Sequence, residues 1–435
     1  NDKSGSFIPE FGDGLRVGGN GSGTMTFADG TVLHLEPGTE IIFQSVANPP
    51  RNGGKQLKLI SGSLSADVAK QPMDLPLLIQ TPHALVTVVG TQFDLAVSTN
   101  QTELEVTRGL VKMADTGAAK TVSVAEGEFA VASPNAAMQY GRLARNPFLW
   151  PFSSASIWNQ PLGSGAKYEA VSRPFLAEGP LENAVQSRRP FLGHADDPLR
   201  KIWVNGQLRG DARLDEKQIP KNTSRDSAVL MQRARRYALE VRNIELRPDG
   251  GLDATDTERT DLAGSGVNDH AIPAIPFGLS NLGGLIRFGE YEQGIRHALS
   301  ARVNRERLSG RRNFNSPGTI WPATGGDEPV EGFLNIGTLL AIPPEVDIRK
   351  FVGETGAGFE LARAMQDYGV YITGFGKEPF TLIVGEARLD REKEDALLNQ
   401  LIPLLKVVVN NTVETPGGGG TPRKPLAPAL PVVSQ

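Results

Sequence analysis

Cysteine is absent from all 435 residues. That excludes disulfides, thiolate metal sites and a cysteine nucleophile together. Histidine is scarce: His34, His83, His194, His270 and His297 are the full set, and no two of them stand as His-x-x-x-His, the pairing that would favour zinc. No apolar run approaches the roughly 18–20 residues that cross a bilayer as a helix. "LIPLLKVVV" (401–409) has half that length and contains Lys406. Basic excess is missing too. The net charge of −4 implies no cationic face, so nucleic acid and anionic membrane are poor partners. The glycine cluster at 17–23 lacks the Lys-Ser/Thr of a phosphate loop, and no G-x-S-x-G elbow occurs. The chain starts at Asn1 with no charged-then-apolar leader, and the expectation is an exported protein whose signal peptide has been removed.

What is present is turn chemistry. The 49 glycines and 31 prolines favour strands and loops over helix bundles, and the length predicts two or three domains. From Gly14 to about Ser133 the pattern is strand and turn. "TMTFADGTVLHLEPGTEI" alternates on both sides of Asp29-Gly30, a strong hairpin signal. Further turns are expected at Gly62, at Arg108-Gly109 and at Glu126-Gly127. In "IQTPHALVTVVGTQFDLAV" (79–97), Gly90 interrupts an apolar strand run. A close crossing where a Cβ would clash explains it, with Phe93 and Val97 entering the core beyond.

These segments, taken in order with "LISGSLSADV", "ELEVTRGLVKM" and "VSVAEGEFAV", resemble the FecR-like domain over residues 14–133. The resemblance implies an all-β domain located outside the bacterial cytoplasmic membrane. In sensor proteins of this type the domain follows a membrane helix and a cytoplasmic segment that holds a sigma factor. Neither segment occurs in these 435 residues.

The expected organisation is an extended segment 1–13, the FecR-like domain 14–133, a linker 134–151, a larger mixed β/α domain 152–412, and a Gly/Pro-rich tail 413–435. The fold class is therefore mainly β with some α. In the larger domain, "DSAVLMQRARRYALEVR" predicts a short helix, "GFELARAMQDYGVYITG" a helix with Leu361, Met365 and Tyr368 on one face followed by a strand, and "DREKEDALLNQLIPLL" a final amphipathic helix. "SIWNQPL", "IWPAT" and "GTLLAIPPEVDI" resemble segments of a widespread group of exported bacterial proteins that often carry carbohydrate-binding modules.

Chemistry concentrates between 265 and 300. Asp269, His270, Glu290 and His297 combine carboxylates with imidazoles, as general acid/base work or glycosidic cleavage needs, and Arg287 and Trp321 could hold a sugar. The competing reading is that they tie loops together, with Arg287 paired to Glu290. Asp249, Asp253 and Asp256 could hold Ca²⁺ in a loop, against the alternative of a solvated turn; Asp261 and the stretch His194, Asp196, Asp197 are further acidic or metal-binding candidates. In the tail, Leu426, Leu430, Val432 and Val433 are candidate assembly residues, because an extended Pro-rich segment can be donated to a neighbouring copy. Three readings follow: a self-assembling surface or filament protein, a glycan-binding or glycan-cleaving protein using 269–297, and envelope sensing.

Overall fold

The computed structural model describes residues 10, 12–18, 23–36, 38–44, 55–116, 120–134, 136–182, 184–188, 190–193, 197–219, 227–232, 237–287, 289–309, 317–329, 331–385 and 389–430. His194, Asp196, Val432, Val433 and most of segment 1–13 lie outside them. The chain is mainly β with some α.

Among the described residues, the first part of the chain forms a 13-stranded sheet system with its own core. Its organiser is the strand Gln56–Asp67. The first half pairs with Glu40–Gln44 and Leu77–Gln80, the second with Val32–Leu35 and Gln92–Val97. The turn expected at Gly62 is instead a bend that lets one strand serve two half-sheets. Leu77, Ile79, Ala84, Val86 and Val88 are buried at alternate positions, the period of a strand with one face inward. Gly90 sits where the chain leaves Ala84–Val88 and enters Gln92–Val97, two strands that do not pair with each other. Its φ is +148°, and a Cβ would lie 3.1 Å from the Lys70 Cα. Beyond it Phe93 and Val97 are buried, as expected. The linker expected at 134–151 begins differently, since Ala136–Arg142 adds a strand to Glu128–Ser133. Its only buried apolar side chain is Met138, which is why the sequence carries so faint a strand signal there.

Two four-stranded sheets follow. Gln207–Arg213, Leu199–Val204, Leu252–Ala254 and Glu245–Leu246 form one; Phe191–Gly193, Ser227–Gln232, Tyr237–Arg242 and Asp256–Asp261 form the other. A small core lies between them. The second sheet buries both faces: Ala228, Leu230, Leu239 and Val241 point into that small core, while Val229, Met231 and Ala238 join the large C-terminal core. The helix expected in this stretch is thus corrected to two antiparallel strands, Ser227–Gln232 and Tyr237–Arg242. Burial on both sides removes the polar alternation that distinguishes a strand.

The C-terminal core is built on a seven-stranded mixed sheet with the order Tyr168–Ala170, Lys406–Val408, Leu339–Ala341, Val370–Gly376, Leu299–Asn304, Thr381–Val384, Val185–Ser187. Helix Ala357–Asp367 buries Leu361, Ala362, Ala364 and Met365 against it; Arg391–Leu401 contributes Leu398 and Leu401. Both helices match the sequence expectation.

The tail is the largest departure. Gly417 to Gly420 all have φ between +63° and +84°, a left-handed run open only to glycine. It interlocks with Leu162–Ala166. Gly163, Ser164 and Gly165 donate N–H bonds of 2.9 Å to the carbonyls of Gly417, Thr421 and Gly419, and Arg423 N–H donates to the Leu162 carbonyl. Further on, the buried Arg145 guanidinium donates to the carbonyl of Pro428 and to those of Trp150, Pro151 and Phe152. Ala427 and Leu430 are buried against their own chain, and Leu426 stays 47% exposed. Leu430, a candidate assembly residue, thus packs within its own chain, beyond the glycine interlock.

A Cβ on Gly163 would lie 1.9 Å from the Gly419 carbonyl oxygen. Gly163→Ala is therefore expected to undock residues 416–430, seen as rapid proteolysis there and a loss of about 2 kcal/mol in denaturant titration. Unchanged protection would show that the interlock does not hold the tail.

Candidate functional site

The sequence candidates separate into a buried pair and an exposed pair. Glu290 opens the one-turn helix Glu290–Gln293, and His297 lies in the segment leading into strand Leu299–Asn304. The His297 Nδ1 faces the Ala298 carbonyl at 2.8 Å, and Nε2 lies 3.2 Å from the Glu290 carboxylate. Both ring nitrogens face oxygen acceptors, so the imidazolium satisfies both bonds and the neutral ring only one. Burial lowers the His297 pKa, but the Glu290 charge and hydrogen bonds outweigh it and leave the pKa raised. For Glu290, burial raises the pKa, while His297, the Arg287 N–H and the Arg287 charge bring it below its ordinary value. The Arg287 side chain is buried beside them. A histidine with both nitrogens engaged has no free lone pair to take a substrate proton.

Asp269 and His270 are exposed, in the loop after Val267. That loop abuts the segment after Trp321: the Thr324 hydroxyl donates to the Asn268 carbonyl, and the Thr324 N–H donates to the Phe277 carbonyl. Trp321 itself is half-buried against the large core. The structure thus joins Glu290, His297 and Arg287 and leaves Asp269 and His270 outside that buried cluster. In the acidic loop, Arg247 lies between Asp249 and Asp253, 3.3 and 2.8 Å from their carboxylates, and Asp256 accepts the Ala274 N–H. A guanidinium stands where a Ca²⁺ bridging Asp249 and Asp253 would sit. Among the described residues no three His, Asp or Glu side chains converge as ligands.

Other motifs prove architectural. In "SIWNQPL", Trp158 is buried, donates to the Gly266 carbonyl and meets Tyr371 edge-on, while the Asn159 amide binds the carbonyls of Pro151, Phe152 and Ser153.

Sequence reasoning missed a polar contact surface between the first sheet system and the two small sheets. Arg213 pairs with Asp67 at 2.9 Å, and Arg259 pairs with Glu36. The Thr24 hydroxyl donates to Asp211 at 2.7 Å, and His34 Nδ1 lies 3.4 Å from the same carboxylate. His34, Asp67 and Asp211 are buried, and each pair spans well over a hundred positions of sequence. Nothing local in the sequence marks them, because each reads as an ordinary polar or charged residue in or beside a strand.

A model of the FecR protein family matches residues 13–112, and that part of the chain is a FecR domain. Two crystal structures of a candidate anti-sigma factor from Parabacteroides distasonis ATCC 8503, at 2.50 and 1.65 Å, are similar at 18% identity with a TM-score of 0.26. The likeness covers 30% of this chain and 59% of theirs. No curated protein matches the chain.

Two outcomes are expected. His297→Ala leaves a buried carboxylate without its partner and destabilises the protein by about 3 kcal/mol. In the unaltered protein, the raised histidine contributes stability fully below its ordinary value of 6.5, lost as pH rises through the folded value. The depressed Glu290 contributes above its ordinary 4.5, lost as pH falls through its folded value. Thermal melts should place the difference between protein and variant at its maximum between those limits. A flat difference would refute the ion pair. Second, Arg213→Glu with Arg259→Glu sets like charges against Asp67 and Glu36. X-ray scattering should then report a larger radius of gyration with unchanged strand content; an unchanged radius would mean that these pairs do not hold the two parts together.

Proposed function

We propose that this is an extracytoplasmic bacterial sensing protein, in which the FecR domain reports the state of the larger domain. The observation that carries the reading is the ionic contact surface itself. A FecR domain fixed to the small sheets through Asp67–Arg213, Glu36–Arg259 and Asp211 is held by charged pairs rather than by a shared apolar core. Interfaces of this polar kind allow domains to move relative to each other. Catalysis is the weaker reading, since the Glu290–His297 pair is buried and both imidazole nitrogens are engaged.

The absence of cysteine gives a clean test. Met73 of the FecR domain is 90% exposed, so Met73→Cys supplies a single labelling site. A maleimide that cannot pass the cytoplasmic membrane should label it in cells whose outer barrier alone is opened. Labelling only after full lysis would overturn the proposed location.

Self-assembly stands as a second reading on one observation. Among the described residues, strand Ala136–Arg142 pairs only with Glu128–Ser133, which leaves its other edge open. An open edge can add a strand from another copy. If copies join there, Ala137→Lys, at an exposed position of that strand, should abolish filaments in negative-stain images while the monomer stays folded; a protein monomeric at high concentration would dismiss the reading.

A further inference from the structure

A cavity of about 380 Å³ opens where the loop 344–349, the helix Ala357–Asp367 and the docked tail meet. That volume falls in the range of small-molecule sites. Its walls are unusual in their charge pattern. Three carboxylates, Glu345, Asp347 and Asp367, face three cations, Arg349, Arg363 and Lys424. Asp347 accepts from Arg349 at 2.9 Å; Asp367 lies 3.2 Å from Lys424 and 4.0 Å from Arg363. The charges sum to zero, so no net field gathers an anion or a cation. An anion such as phosphate would have to break the Asp367 pairs to reach Arg363 and Lys424.

A ligand that both donates and accepts meets no such obstacle. Each vicinal pair of hydroxyls can donate a hydrogen bond to a carboxylate oxygen and accept one from a neighbouring guanidinium or ammonium without separating the pair. Phe359 adds an apolar wall, with Arg363 5.5 Å from its ring centroid, against which the C–H face of a sugar ring can pack. The frame is rigid before anything binds. Gln366 donates to the carbonyls of Pro343 and Val346, fixing the loop, and its own carbonyl accepts from Arg423, fixing the tail beside Lys424.

We propose that this cavity binds a neutral, polyhydroxylated ligand, a sugar unit of an extracellular glycan, with Asp347 and Asp367 as acceptors and Lys424 as the donor supplied by the tail. The proposal rests on the sensing reading for its biological meaning, and names what is sensed; the binding itself does not depend on that reading.

The test uses the purified full chain and saturation-transfer NMR against glucose, galactose, mannose and N-acetylglucosamine, with inorganic phosphate as the charged control. At least one sugar should show transfer at millimolar concentration and phosphate none. Asp347→Asn together with Lys424→Met, both at the surface, should weaken that sugar at least about tenfold, the loss of one or two charge-assisted hydrogen bonds. The melting curve of the variant checks that it is folded. Transfer to no sugar of the panel, binding unchanged in the folded double variant, or tighter binding of phosphate would each overturn the proposal. Cytoplasmic labelling of Met73→Cys alongside intact sugar binding would sink the sensing reading and leave the site standing.

Discussion

A carboxylate shut away from water must find donors for both oxygens or be costly to the fold, and Glu240 meets that demand from two other parts of the chain. Thr260 and Ser280 hydroxyls donate to one oxygen; the Asn281 backbone and amide donate to the other. Glu240 lies in the sheet that is covered on both faces, on the same side as Ala238. Its bonds therefore fasten the 280 loop to that sheet, and the Asn281 amide passes the constraint on to Ala274. The loop that carries Asp269 and the segment that carries Arg287 both begin from this anchor. Glu240 thus ties the second small sheet to the loop that leads into Arg287.

The same sheet explains what was and was not legible beforehand. The FecR domain could be read because its strands have one inward face: Leu77, Ile79, Val86 and Val88 are buried at alternate positions, and Asp29-Gly30 closes a hairpin. Helices Ala357–Asp367 and Arg391–Leu401 could be read for the same reason in the other period. Ser227–Gln232 and Tyr237–Arg242 could not, since a strand buried on both sides shows no alternation. Of the site, the Arg287–Glu290 neighbourhood was visible as spacing, whereas the exposure of Asp269 and His270, in a loop bonded to Thr324, is encoded by no local pattern. Low-complexity composition misled most. "TPGGGGTP" has the letters of a flexible linker, and the interlock that orders it needs Gly163 and Gly165, some 250 positions earlier.

Charge does different jobs at two depths. Inside the C-terminal core, Glu290 and His297 are held so that each keeps the other ionised. Between the FecR domain and the small sheets, the pairs join surfaces that each have a finished core behind them. Breaking the first kind strands a charge without water. Breaking the second lets water return to both partners, at a smaller cost.

The glycine interlock has a consequence for how the chain folds. Leu162–Ala166 lies at the start of the larger domain, and its partners, Gly417 to Arg423, follow about 250 positions later. A contact of such sequence separation forms late, after the entropy of a very long loop has been overcome. This closure of the larger domain cannot form until residues 417–423 have been synthesised. In a chain that has no cysteine to cross-link, left-handed backbone performs the closure, and it does so in oxidising and reducing surroundings alike.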